Sequence, residues 1–375
     1  MSTASYVDPR NGKMYPLDVP RWCSDDRTPL LVTPGAGISR DDIEARTRSL
    51  WRYQAALPVR IDKPITLGEG CTPLVEQAWG DLRPHFKLEW FNPTGSFKDR
   101  GSAVMLSFLR QIGINAVLED SSGNGGSSMA GLGTAGGMGV KILAPASTSP
   151  AKIAQVRAYG AQVQLVEGPR EESEAEAIRQ SDKTFYASHN WQPFFLEGTK
   201  SFAYELWEDF GFRAPDNVIM PVGAGSSLLG CAFGFRELLK AGQIAKLPRL
   251  FVAQPLNCSP IDASFQAGVD TPVTRGVHKT IAEGTAIRNP MRLREIIQAV
   301  RESGGGTVAV TEDELVSALR RLARQGLFAE PTSASGAAAL DKLAATGAIK
   351  PGETTVVILT GSGLKAASTV ADLVG

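Results

Sequence analysis

Between Ala116 and Ala187 short apolar runs alternate with helical ones, and this restricts the fold more than any other feature. Ala116–Leu118, Val140–Ala144, Val163–Val166 and Phe185–Ala187 read as strands. Asn124–Gly137, Ala151–Tyr159 and Glu171–Gln180 read as the helices between them. Strands this short and this uniformly apolar belong to a parallel sheet covered on both faces. The pattern resumes after a long helix expected over Phe195–Phe210. Further strands are predicted at Val218–Val222, Leu250–Ala253 and Thr354–Leu359, with helices at Leu228–Leu239, Leu315–Leu322 and Ser335–Leu343. The expectation is an α/β protein of two three-layer lobes with largely parallel sheets and a ligand crevice between them. Residues 1–60 form an arm with a helix near Asp42–Tyr53, 100–195 the smaller lobe, and 61–99 with 196–375 the larger.

One lysine stands out against this frame. Asn92-Pro93 and Thr94-Gly95 are turn dipeptides, and Ser96 can cap a helix whose apolar positions run from Ala103 to Leu109. Lys98 sits in the first turn of that helix, where the dipole favours anions over a cation. An amine aimed from such a place, and partly desolvated, suits Schiff-base chemistry.

Four glycine- or serine-rich turns follow predicted strands. Ser121-Ser122-Gly123-Asn124-Gly125-Gly126 enters a helix, so its N–H groups can take a carboxylate or phosphate; close packing of small residues is the competing explanation. Gly223-Ala224-Gly225-Ser226-Ser227 lets backbone approach a phosphate, and no lysine follows at P-loop spacing. Glu330–Gly336 and Thr360–Lys365 complete the set. A lysine, a phosphate cradle and a carboxylate-binding turn together describe a pyridoxal 5′-phosphate site.

Other chemistries find less support. The 39 basic and 39 acidic residues balance, which argues against nucleic acid or an acidic membrane as partner. No apolar run is long enough to span a bilayer, and the N-terminus lacks a signal-peptide pattern. Four cysteines without CxxC spacing suit a reduced, cytoplasmic protein. His85, His189 and His278 have no metal spacing and no evident acidic partner.

The lysine motif Asn92–Arg100 resembles that of fold-type-II pyridoxal-phosphate enzymes, most of all threonine synthases. Leu67–Leu74, Ser121–Asn124, Pro221–Gly223, Ala286–Pro290, Glu330–Ala334 and Leu359–Lys365 are similar to that family in order, over about residues 50–370. The resemblance implies a tryptophan synthase β-like fold and a lyase; threonine synthases, dehydratases and β-replacement synthases share that fold. It implies that Lys98 carries the cofactor and later moves a proton, and that Asn124 bonds its phenolic oxygen. Gly223, Ala224, Gly225, Ser226 and Ser227 would hold the phosphate, with Thr360 facing the ring nitrogen and leaving it largely unprotonated. Ser121, Ser122 and Gly123 would take the carboxylate of an amino-acid substrate.

Two departures bear on the substrate. Phe195 stands where threonine synthases carry a phosphate-gripping arginine, and Gly125-Gly126 where they often have Thr-Ser. Losing a bidentate anion partner points to a less charged amino acid. The family is also dimeric, so a homodimer is implied. The arm is similar to a small zinc ribbon of some relatives, yet only Cys23 is present there, so no metal is expected. A binding protein that kept the fold and lost catalysis is the alternative of another class; the presence of Lys98, Asn124 and Thr360 argues against it.

Overall fold

The computed structural model describes residues 4–148 and 150–374. From the N-terminus the chain forms β1 (Ser5–Val7), β2 (Met14–Pro16), β3 (Leu31–Val32), β4 (Leu74–Glu76) and β5 (His85–Leu88). Then come α1 (Lys98–Gln111), β6 (Ala116–Glu119), α2 (Asn124–Ala135), β7 (Gly139–Pro145), α3 (Pro150–Ala158), β8 (Gln162–Val166), α4 (Arg170–Gln180) and β9 (Phe185–Tyr186). The remainder is α5 (Pro193–Thr199), α6 (Ser201–Asp209), β10 (Asn217–Pro221), α7 (Ser226–Lys240), β11 (Arg249–Pro255), α8 (Pro260–Gln266), α9 (Leu293–Glu302), β12 (Gly306–Val310), α10 (Glu312–Arg324), α11 (Pro331–Ala345), β13 (Thr355–Leu359) and α12 (Ala367–Val374).

These elements fall into two compact units: Met1–Cys71 with Lys98–Ser201, and Thr72–Phe97 with Phe202–Gly375. In the first, β8-β7-β6-β9 form a sheet that is parallel throughout. Its main core gathers Val104, Leu106 and Phe108 of α1 with Met129 and Leu132 of α2. The arm adds an antiparallel sheet, β2-β1-β3, and buries Tyr6 against Phe108 and Phe194. In the second unit the order is β12-β11-β10-β13-β5-β4, parallel except for β4. Its inner strand β10 is buried along its whole length, as a largely apolar strand covered on both faces must be.

Three local expectations fail. Asp42–Tyr53 is not an α-helix: only short 3-10 turns form at Arg40–Asp42 and Leu50–Ala56. Backbone bonds from Leu50 N–H to Glu69 and from Glu44 N–H to Arg52 draw this chain out of a helical path. The helix expected over Phe195–Phe210 divides into α5 and α6 at Lys200. That lysine is buried and donates to the Ala56 carbonyl. Ser96 makes no capping bond; its hydroxyl is buried without a hydrogen-bond partner among the described residues. No described helix is long and apolar enough to cross a membrane.

Candidate active site

In the second unit, the turn before Lys98 is tied to the end of β13. Phe97 N–H donates to the Thr360 carbonyl at 3.0 Å, and Ser362 N–H to that of Gly95 at 3.2 Å. Lys365 Nζ donates to the Thr94 carbonyl at 2.8 Å. Gly95 has φ +89°, a left-handed value that a side chain would strain. Lys98, the residue after Phe97, is half-buried and begins α1 in the first unit.

Within the first unit Lys98 Nζ lies 5.6 Å from the centre of the Phe195 ring. Phe195 is completely buried and lies over Gly101, where a Cβ would come within 2.5 Å of the ring. Its ring has Lys98 and His189 beside it. The His189 and Phe195 ring centres are 5.6 Å apart.

His189 has an acidic partner after all, which corrects the expectation from sequence. Glu119, the last residue of β6, accepts from His189 N–H at 2.9 Å and pairs with Nδ1 at 3.1 Å. Burial pushes the Glu119 carboxyl up to about 7, although the His189 N–H and the Lys98 charge pull it back. Burial holds the imidazole well below its usual value, and the nearby Lys98 charge adds to this. Asp120, raised by burial and by the Glu119 charge, accepts from Tyr186 OH at 2.7 Å.

His189 of this pair crowds the first of the two glycines that open α2, and Ser121 crowds both. At Gly125 a Cβ would lie 2.8 Å from Ser121 Oγ and 3.0 Å from His189 Nδ1. At Gly126 it would lie 1.9 Å from the Ser121 carbonyl oxygen. So Ser121, Ser122, Gly123, Asn124 and Gly125 form one tight turn at the start of α2, backed by His189 and Phe195. Gly125 and Phe195, one from each departure from threonine synthases, lie beside the same imidazole.

The cradle residues of the second unit come together at the start of α7. Gly225 caps that helix with φ +92°. At Gly223 a Cβ would come within 3.0 Å of Ile287 Cγ1 and Thr285 Cα. The turn thus admits no side chain at Gly223, and α7 directs its first N–H groups beyond its end. Thr360 is buried and donates to Glu330 Oε1 at 2.6 Å.

The match to known proteins is decisive for the family. Residues 65–361 match the model of the pyridoxal-phosphate dependent enzyme family. This chain belongs to that family. It is also 33% identical to a threonine synthase of Methanosarcina acetivorans, over 90% of this chain and 85% of the relative. A threonine synthase of Methanocaldococcus jannaschii is 35% identical over 88% of this chain and 83% of its own. Among solved structures, a fungal L-serine ammonia-lyase from Rhizomucor miehei superposes with a TM-score of 0.72, covering 83% of this chain and 98% of that one at 19% identity. The processed form of threonine deaminase isoform 2 from Solanum lycopersicum gives 0.68, over 81% and 88%, at 24% identity. These likenesses establish the tryptophan synthase β-like fold and, with the family, a pyridoxal 5′-phosphate-dependent lyase.

The residues of this pyridoxal-phosphate enzyme suit the cofactor. A glycine cradle at a helix start fits a phosphate, and the buried Ser96 hydroxyl has hydrogen-bonding capacity that no described residue uses. Glu119, His189 and Glu330 escaped sequence reasoning as site residues. Each is a single polar residue whose partner lies far along the chain, and only the glycines at 125 and 361 hinted at crowding around His189 and Glu330.

Proposed function

We propose that the chain catalyses elimination or replacement at the β or γ carbon of an amino acid, as a lyase of the threonine synthase type. The similarity to threonine synthases over most of both chains carries this reading. Lys98 binds the cofactor through Nζ and moves the proton of the substrate's Cα. Gly223, Ala224, Gly225, Ser226 and Ser227 hold the phosphate; Asn124 bonds the phenolic oxygen; Thr360 meets the ring nitrogen. Ser121, Ser122 and Gly123 orient the substrate carboxylate, with Gly125 giving room beside His189. Bound there, pyridoxal phosphate supplies the electron sink for the pair left at Cα.

A second reading, ammonia-lyase or β-replacement on an unphosphorylated amino acid, is favoured by Phe195. Its buried ring stands in place of a phosphate-binding guanidinium. A cytoplasmic homodimer belongs to the same proposal. The resemblance supports the dimer, and four cysteines outside any disulfide support the compartment.

The test is a substrate panel on the purified, cofactor-loaded protein. Phosphate released from O-phosphohomoserine supports threonine synthase, and 2-oxo-acid formed from unphosphorylated amino acids supports the second reading. Lys98→Ala is expected to abolish turnover and the borohydride-sensitive absorbance while leaving the fold intact. A protein that takes up no cofactor would sink both readings. Light scattering on the eluting protein checks the dimer.

A further inference from the structure

The buried pair of Glu119 and His189 has no part in the roles above. Glu119 ends β6, and His189 lies just beyond the end of β9, the strand that runs parallel beside it. Both stand at the carboxyl end of the first unit's sheet, the end at which parallel α/β sheets hold their ligands. The Glu119 carboxyl group grips His189 twice: Oε2 accepts from the backbone N–H at 2.9 Å, and Oε1 meets Nδ1 at 3.1 Å. The other ring nitrogen, Nε2, makes no hydrogen bond to a described residue and is not among the enclosed polar atoms. The residue keeps 6% of its surface exposed. A Cβ at Gly125 would lie 3.0 Å from Cε1, the ring carbon between the two nitrogens. Glycine there leaves that edge of the ring bare toward the start of α2.

Burial favours the neutral form of both partners. It raises the carboxyl to about 7 and holds the imidazole well below its ordinary value. The charges around the pair are Lys98 of α1, Asp120 next along the chain and Arg170 of α4. Tyr186 OH, on β9, donates to Asp120. Lys98 and Arg170 pull Glu119 down without cancelling the effect of burial. Below about 7 the carboxyl therefore holds a proton for Nδ1 to accept. A neutral imidazole has one N–H, which then sits on Nε2.

We propose that His189 is a catalytic acid that protonates the substrate's departing group through Nε2, with Glu119 passing it a proton from behind. This rests on the reading of an unphosphorylated amino acid, and it gives that reading a reason. A phosphate departs as a stable anion and needs no proton, whereas a hydroxyl leaves readily only as water. In the elimination Lys98 takes the Cα proton, and the electron pair left behind forms a double bond to Cβ. The Cβ–O bond breaks, the oxygen takes the Nε2 hydrogen, and Nδ1 takes the Glu119 proton. Water departs, leaving a Glu119 carboxylate and a neutral imidazole with its hydrogen on Nδ1. Lys98 has gained one proton and Glu119 has lost one, so exchange through solvent resets the pair.

The experiment uses the full, cofactor-loaded chain with two probes, L-serine and β-chloro-L-alanine. Both lose the same Cα proton and yield the same 2-oxo acid, but chloride leaves without a proton. The Glu119→Gln amide can still donate to Nδ1 and has no acid proton to pass. That variant and His189→Asn are each expected to lose about 100-fold in kcat/KM on L-serine, with a loss at least about tenfold smaller on β-chloro-L-alanine. In the wild type the ratio of the two kcat/KM values, serine over chloroalanine, is expected to fall as pH rises through about 7. Glu119→Gln is expected to abolish that fall, and the wild-type ratio stands as a test should neither variant fold. The infrared difference between wild type and Glu119→Gln is expected to show a protonated-carboxyl band that fades above about 7. Equal losses on both probes, a wild-type ratio that ignores pH, the absence of that band, or turnover of β-chloro-L-alanine alone each overturn the proposal. A loaded wild type that turns over neither probe overturns instead the reading on which it rests.

Discussion

Glu119 and His189 place two titratable groups in a fully buried pair whose pH responses oppose each other. Folded Glu119 keeps its proton up to about 7, from an ordinary value of 4.5, so between these pH values the unfolded chain binds fewer protons than the folded one. Its contribution is complete below 4.5 and is lost as pH rises through about 7. The full loss is on the order of 3 kcal/mol. His189 behaves the other way: with its imidazole held neutral, stability is lost as pH falls below its ordinary 6.5. Glu119→Gln keeps an acceptor for His189 N–H and removes the carboxyl titration. Urea unfolding of the cofactor-free protein is expected to show the variant gaining on wild type as pH rises from about 4.5 to about 7, by up to about 3 kcal/mol. A difference that does not change with pH would show that Glu119 is already ionised in the folded state.

The parallel sheets were legible in the sequence because a strand buried on both faces leaves an unbroken apolar run. Thr355–Leu359 and Asn217–Pro221 fall within a residue of their expected places. The arm was not legible: β1 and β2 are three residues each and β3 two, too short for alternation to register among prolines and aspartates. β12 was missed behind three glycines, and α9 follows a stretch, Ala286–Pro290, that was noted only for its likeness to the family. The site divides the same way. Glycine turns and the lysine motif announced themselves locally, while the Thr360–Glu330 bond depends on residues thirty apart. Gly225 joins both kinds of information. Its φ of +92° is visible only in the structure, and its Cβ would meet Ile296 Cδ1 of α9 at 2.3 Å. Gly225→Ala is expected to lower stability by about 1–2 kcal/mol through the left-handed backbone. Distortion of the α7 start should weaken cofactor affinity about tenfold, read by absorbance titration. Gly347→Ala is the control: its φ is +70° and no atom crowds its Cβ, so it should lose stability and keep its affinity. Equal affinity in both variants would remove Gly225 from the cradle.

Chain order and unit order differ across the molecule as a whole. The chain changes unit after Cys71, after Phe97 and after Ser201, so neither unit is one continuous segment. Thr72–Phe97 supplies β4 and β5 to the second unit, where β5 pairs with β13 from Val356↔His85 to Leu359↔Leu88. Phe86 and Leu88 pack in that unit's core with Ile219 and Val357. A chain ending at Ser201 would contain every residue of the first unit and also these orphaned strands. β5 would keep only β4 beside it, and a two-stranded hairpin is marginal in water. Its buried Phe86 and Leu88 would lie open, each worth about 1.5–3 kcal/mol when fully buried. Residues 1–201 are therefore expected to bind a hydrophobic dye, to aggregate with rising concentration and to lack the sharp urea transition of the full chain. If the fragment instead unfolds cooperatively as a dispersed monomer, the first unit folds on its own and tolerates the 72–97 segment as an unstructured insertion.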